Sequence, residues 1–146
     1  MIRRLRACAL LCTAAALCAA PAVAQDGTPA CGHMTDQQLQ GAWTAAVTGQ
    51  DREIRIELGP HPEWAGMVKG SVIRDGSRLP MVGDVDDGTV TLEESADGVH
   101  ITGTWLGEAD PASCGREIRG DYLRGENDPP QPFVLRKQAS PAALPR

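Results

Sequence analysis

The sequence predicts an all-β fold, an eight-stranded antiparallel up-and-down β-barrel with a short helical turn before its first strand. Short segments alternate apolar and polar residues with a period of two, which is typical of strands with one buried face. Turns rich in Gly, Asp and Pro separate these segments, and almost no helical pattern is present. An Ile-x-Gly-x-aromatic pattern occurs at Ile101–Trp105 and again at Ile118–Tyr122. Closure of such strands into a barrel removes exposed edges, whereas a two-sheet β-sandwich is the alternative.

The N-terminal segment has the features of an export signal. Arg3, Arg4 and Arg6 precede an apolar run at residues 7–20, and a small-x-small cleavage motif follows at Ala22–Ala24. We therefore expect a signal peptide at residues 1–24, a single β-barrel domain at residues 25–137 and a disordered tail at residues 138–146. Such a signal peptide predicts a periplasmic or secreted protein with no stable membrane insertion.

Charge and cysteine content indicate which partners and which cellular compartment suit the chain. The chain carries 14 basic and 19 acidic residues, and loss of the three leader Arg residues changes the net charge from −5 to −8. Such an acidic domain is a poor partner for nucleic acid. After cleavage only Cys31 and Cys114 remain, so an oxidising compartment predicts a Cys31–Cys114 disulfide, whose long loop makes it worth about 4 kcal/mol.

The chain begins its folded part with one predicted helical turn. Thr35 offers an N-cap hydroxyl, and helix-compatible residues continue to Gln40 before Gly41 stops them. The first strand follows from Gly41.

Eight strands are expected in order, with turns at residues 49–51, 59–62, 75–76, 84–88, 96–98, 107–115 and 125–130. The fourth, at residues 79–82, has no fixed parity, and Pro80 suggests an edge or a bulge. The inward residues predicted for the other seven are Trp43, Ala45 and Val47; Ile54, Ile56 and Leu58; Trp64, Gly66, Val68, Gly70 and Val72; Val90 and Leu92; Val99, Ile101, Gly103 and Trp105; Ile118, Gly120 and Tyr122; and Phe133 and Leu135.

The aromatic residues provide the candidate binding site. All five predicted inward rings could simply fill the barrel, since eight strands enclose little more than their own side chains. Alternatively, Trp64, Trp105 and Tyr122 line a small apolar pocket with a polar tip, as ligand sites often do.

The pattern contains no catalytic constellation. The three histidines fall in an arm (His33), a loop (His61) and an outward strand position (His100), and no nucleophile-elbow motif occurs. The acidic run at residues 84–88 is too short for a calcium loop and is typical of a turn. We therefore expect no enzyme activity, no cofactor and no metal.

The order of these elements resembles the calycin superfamily of lipocalins and avidins. The resemblance rests on a short helical turn, then Gly41-Ala-Trp43 in the first strand, then seven further strands ending in the basic pair Arg136 and Lys137. It implies that Trp43 packs at the closed end of the barrel beneath the side chain of Arg136.

A second resemblance is to small periplasmic barrel inhibitors of secreted metalloproteases, carried by Leu39–Trp43 and Phe133–Arg136. It implies an N-terminal arm, residues 25–34 here, that plugs an enzyme cleft.

These observations favour a non-enzymatic exported binding protein, whose partner is a small apolar ligand or an exported protein. The alternative is an inhibitor or immunity-type protein of a secreted or periplasmic hydrolase, such as a protease or lysozyme. A purely structural envelope protein is a third possibility.

Overall fold

The structure is a computed structural model that describes residues 31–125 and 127–139. The predicted signal peptide at 1–24 lies outside the described residues, as does most of the predicted tail, of which only 138 and 139 are described.

Eight antiparallel strands form one closed barrel in which each strand pairs with its neighbours in sequence. The circle is completed by pairing of the first strand with the last, for example Thr44 with Arg136. This confirms the predicted up-and-down barrel and excludes the sandwich. The strands are β1 (Gly41–Val47), β2 (Ile54–Pro60), β3 (Met67–Arg74), β4 (Ser77–Asp86), β5 (Thr89–Ser95), β6 (Ile101–Ala109), β7 (Glu117–Leu123) and β8 (Gln131–Lys137).

The predicted helical turn is α1 (Asp36–Leu39), directly before β1. It begins with a capping box, in which the Thr35 hydroxyl accepts from the Gln38 backbone and the Gln38 side chain accepts from the Thr35 backbone. Leu39 is fully buried, and its carbonyl accepts a 2.8 Å hydrogen bond from Trp43 Nε1. The helix therefore covers the end of the barrel at which β1 begins, here called the closed end.

The barrel interior is filled by one continuous apolar core. Inward side chains of all eight strands contribute, among them Trp43, Ile56, Val72, Leu92 and Trp105, each at most 1% exposed. Close packing of this kind is the usual state of a small eight-stranded barrel.

The disulfide joins Cys31 to Cys114, with a Cα–Cα distance of 5.1 Å and a sequence separation of 83 residues. Cys114 follows a 3₁₀ turn at Pro111–Ser113 in the β6–β7 connection. The link holds the segment before α1 against the closed end of the barrel, where Met34 is buried.

The inward position predicted for Trp64 is wrong. β3 begins only at Met67, and Trp64 lies in the preceding loop with 56% of its surface exposed. The His61 ring explains the loop: Nδ1 accepts from the backbone nitrogens of Glu63 and Trp64, both at 3.1 Å. Its ring also stacks on Trp64 at a centroid distance of 4.5 Å. Local hydrogen bonds thus keep Trp64 outside the sheet.

The predictions for Val99 and Ile101 are also wrong. Both are exposed, at 79% and 58%. Asp97 accepts hydrogen bonds from the backbone nitrogens of Val99 and His100, which holds Val99 in the turn. A register shift pairs Ser95 with Ile101, and this irregularity places Ile101 on the outer face.

Two connections are shorter than predicted. β4 continues to Asp86, which reduces the expected turn at 84–88 to Asp87 and Gly88. β6 continues to Ala109, so Gly107 is a buried strand residue rather than the start of a loop.

Candidate functional site

Trp43 lies at the closed end with a cationic side chain above its ring, but the cation is Lys137. The Lys137 ammonium is 5.3 Å from the ring centroid and donates to the Gln38 carbonyl. Arg136 points outward instead, and its Nε lies 3.1 Å from Glu117 Oε2. Strand register explains this correction, because Lys137 is the residue paired with inward-facing Trp43.

Gly41 permits this arrangement. Its φ of +122° is unfavourable for other residues, and a Cβ atom there would lie 3.2 Å from Lys137 Cε. Of the three residues that the sequence predicted for the closed end, Gly41 and Trp43 lie there. Arg136 does not.

At the opposite end, here called the mouth, the structure brings together two of the three predicted ligand-binding residues. The rings of Trp105 and Tyr122 are 4.6 Å apart, and Phe133 meets Trp105 edge-on at 5.1 Å. Trp64 does not join them, because it stacks on His61 in the β2–β3 loop.

The centre of this group is Glu94, a residue that sequence reasoning missed. Glu94 is 2% exposed. Arg74 donates from both terminal nitrogens to its carboxylate oxygens, at 2.8 and 2.7 Å. The Tyr122 hydroxyl donates at 2.7 Å and Trp105 Nε1 at 3.2 Å. We call these four residues the Glu94 cluster.

Two pKa shifts describe its charge state. Desolvation acts to lower the pKa of Arg74, but the hydrogen bond and charge of Glu94 outweigh it, so that the pKa is raised. Burial, followed by the hydrogen bond to Glu94, raises the pKa of Tyr122 to about 12. Arg74 is therefore a permanent cation, and Tyr122 stays a neutral donor at physiological pH.

Gly103 makes room for the cluster. A Cβ atom at this position would lie 2.6 Å from Glu94 Oε1 and 2.7 Å from the Tyr122 hydroxyl. The glycine of the first Ile-x-Gly-x-aromatic pattern is thus needed for close approach of two polar groups.

The cluster is a closed network rather than an open pocket. Trp105 and Tyr122 are 1% and 3% exposed. Within residues 31–125 and 127–139, no buried side-chain nitrogen or oxygen lacks a hydrogen-bond partner. Such a network holds the buried polar groups of the mouth in fixed positions.

The outer wall carries a more accessible feature. A cavity of about 530 Å³ lies between β4, β5 and the β5–β6 turn. Besides buried Met81, its apolar lining residues are Pro80, Val82, Val99 and Ile101, here called the apolar groove. Lys69 and Glu93 flank Val82 on neighbouring strands, and neither makes an ion pair with another described residue.

The histidines do not converge. His33 lies against Gly88, His61 against Trp64, and exposed His100 contacts Asp97 with Nδ1 2.7 Å from Oδ2. The hydrogen bond from His100 is the main cause that lowers the pKa of Asp97.

Among the described residues, no group of three or more His, Cys, Asp or Glu side chains could hold a metal ion. The same part of the chain contains no helix long and apolar enough to cross a membrane.

No protein-family model matches the chain, and no curated protein matches it significantly in sequence. The closed eight-stranded barrel agrees with the fold that the calycin resemblance implies, and no family match assigns the chain to that superfamily.

Proposed function

We propose that this chain is an exported, non-enzymatic β-barrel that binds a protein partner through its apolar groove. The observation that carries the proposal is the exposure of Val99 and Ile101, at 79% and 58%, beside a cavity of about 530 Å³. Apolar side chains clustered at a concave surface are typical of protein interaction sites.

The filled interior favours a protein over a small apolar ligand. Trp105 and Tyr122, which would line a ligand site in the mouth, are buried against each other and hydrogen-bonded to Glu94. A ligand entering there would have to displace core side chains or break the Arg74–Glu94 pair. Both changes cost stability.

The charges near the groove indicate the chemistry of the partner. Lys69 and Glu93 lie on either side of Val82 and are available for pairing with opposite charges. The acidic net charge of the chain, −5, would steer a basic protein toward it. We therefore expect an exported protein of net positive charge whose docking segment presents an apolar side chain between an acid and a base.

Export is supported by two features. The predicted signal peptide has a basic, apolar and small-residue order, and the Cys31–Cys114 disulfide suits an oxidising compartment. A disulfide-linked barrel of this kind suits a binding role in the periplasm or outside the cell.

Site-specific photo-crosslinking in the producing cell tests the proposal. A crosslinkable residue at Val99 is expected to form one discrete adduct with an exported protein, and the adduct should disappear when Ile101→Asp is added. The control position is Ala46, an exposed apolar residue on β1, across the barrel from the groove. Ala46→Asp is the matched charge control for Ile101→Asp.

Equal labelling from both positions, or none from Val99, would rule out the groove as a docking site. Native mass spectrometry complements this test. A small added mass that disappears on denaturation would favour the ligand-binding alternative.

The inhibitor alternative is supported by the anchored arm. Cys31 is tied covalently to the β6–β7 connection, and Met34 is buried at the closed end. A segment preceding Cys31 would therefore start from a fixed point on the barrel, which lowers the entropic cost of inserting it into an enzyme cleft. Inhibition of a secreted protease or lysozyme by the oxidised protein, lost on removal of residues 25–30, is the expected result of this alternative.

A further inference from the structure

A second cavity, of about 520 Å³, lies at the closed end between α1, the β6–β7 connection and the end of β8. Its charged side chains are Arg116 and Lys137, and no acidic side chain of the described chain lines it. We call it the basic cavity. Its charge is unexpected in a protein whose acidic residues outnumber its basic ones by five.

The acid nearest in sequence does not neutralise the cavity. Glu117 follows Arg116 directly but pairs with Arg119 and Arg136 on the outer wall. Arg116 itself makes no ion pair within the described part of the chain, and its side chain is exposed.

Three groups in the cavity are hydrogen-bond donors. Lys137 uses one N–H on the Gln38 carbonyl and faces the Trp43 ring with its charge, which leaves further donor capacity. The Gln38 carboxamide oxygen accepts from Thr35, so its Nε2 donor is directed away, toward Gly115 on the cavity wall. The Arg116 guanidinium adds further N–H donors, whose spacing matches the oxygens of a carboxylate or a phosphate.

The two cations also influence each other. Burial, followed by repulsion from Arg116, lowers the pKa of Lys137. A negative charge placed between them would relieve this repulsion.

We propose that the basic cavity is an oxyanion-binding site that takes a phosphate or a carboxylate, held by Arg116, Lys137 and the Gln38 carboxamide. The site does not depend on the proposed protein partner, because the apolar groove lies on β4 and β5 near the mouth. Its ligand could be free inorganic phosphate or the carboxylate of an organic acid or acidic side chain, and the chemistry of recognition is shared.

The test is a titration of the oxidised full-length mature protein followed by amide NMR, with inorganic phosphate in one arm and acetate in the other. We expect saturable shifts confined to Gly115, Arg116, Lys137 and their neighbours. Arg116→Gln should weaken binding about tenfold or more, since it removes at least one charge-assisted hydrogen bond. Because Arg116 is exposed, the variant should keep the wild-type spectrum elsewhere.

Arg124→Gln is the matched control, because it removes the same charge from an exposed position near the mouth. It should leave the affinity unchanged. Binding of phosphate but not acetate assigns a phosphate site, binding of acetate alone assigns a carboxylate site, and binding of both assigns a site for either group. The proposal is overturned if neither probe gives saturable shifts, or if Arg116→Gln and Arg124→Gln weaken binding equally, which would indicate unspecific screening.

Discussion

Removal of the Arg74 guanidinium should destabilise the barrel by about 3 kcal/mol. Arg74→Met deletes the hydrogen bonds of 2.8 and 2.7 Å to Glu94, which stays buried with only Tyr122 and Trp105 as donors. Removing one partner of a buried ion pair costs about 3–5 kcal/mol. Because the Arg74 side chain is 20% exposed, water can reach part of the site, and we expect the lower end of that range.

The assay is equilibrium urea unfolding followed by tryptophan fluorescence. The control is Arg78→Met, whose exposed pair with Glu57 should contribute less than about 1 kcal/mol. Adding Glu94→Gln to Arg74→Met should restore at least about 1 kcal/mol, because the neutral amide leaves no uncompensated charge. If Arg74→Met costs no more than Arg78→Met, or if the double variant shows no recovery, the Glu94 cluster does not hold the mouth together.

Three further predictions concern other parts of the barrel. Tyr122 is the only tyrosine, so phenolate absorbance should show a pKa of about 12 in the folded protein and about 10 in urea. Since the folded-state pKa is the higher one, stability should be unaffected below pH 10 and should fall as pH rises from 10 through 12. Reduction of Cys31–Cys114 should lower the free energy of unfolding by about 4 kcal/mol, measured by urea unfolding with and without a dithiol. An unchanged urea midpoint would show that the disulfide does not stabilise the barrel. Gly103→Ala should cost about 2 kcal/mol, because its methyl group meets the buried carboxylate and the hydroxyl at 2.6 and 2.7 Å. Gly32→Ala has open space around it and should change unfolding by less than about 0.5 kcal/mol, and equal effects of the two substitutions would be inconsistent with close packing at Gly103.

The strand order could be predicted because alternation is a local property, and closure was inferred because it removes exposed sheet edges. Ile54, Ile56 and Leu58 alternate with charged residues, and the structure buries all three. The helical turn could be predicted for the same reason, since its capping box lies within four residues. The disulfide could be predicted by counting the cysteines that remain once the predicted signal peptide is left out.

The Glu94 cluster at the mouth was harder to predict, because its charged residues lie at the ends of strands. Extending the alternation Val90, Leu92 by two residues reaches Glu94, and extending Val68, Gly70, Val72 reaches Arg74. Both positions point inward, but a charged residue at a strand end normally indicates the start of a turn. Only the pairing of the two charges across the barrel allows them to be buried.

Positions that depend on irregular backbone could not be derived from a strict period of two. The register shift at Ser95 turns Ile101 outward, and the hydrogen bonds of the His61 ring remove Trp64 from β3. Both irregularities expose apolar side chains, and the first of them forms part of the apolar groove.

The pairing of β1 with β8 has a consequence for how the chain reaches its folded state. Every other strand contact joins neighbours in sequence, whereas Thr44 and Arg136 meet across nearly the whole domain. A chain that becomes available N-terminus first can form seven strands while both sheet edges stay open, and open edges are sites of aggregation. Closure must wait for the last strand, because long-range contacts are slow to form. We therefore expect pulse-labelled hydrogen exchange during refolding to show late protection of β1 and β8 amides, and uniform protection of all eight strands in one early phase would refute this order.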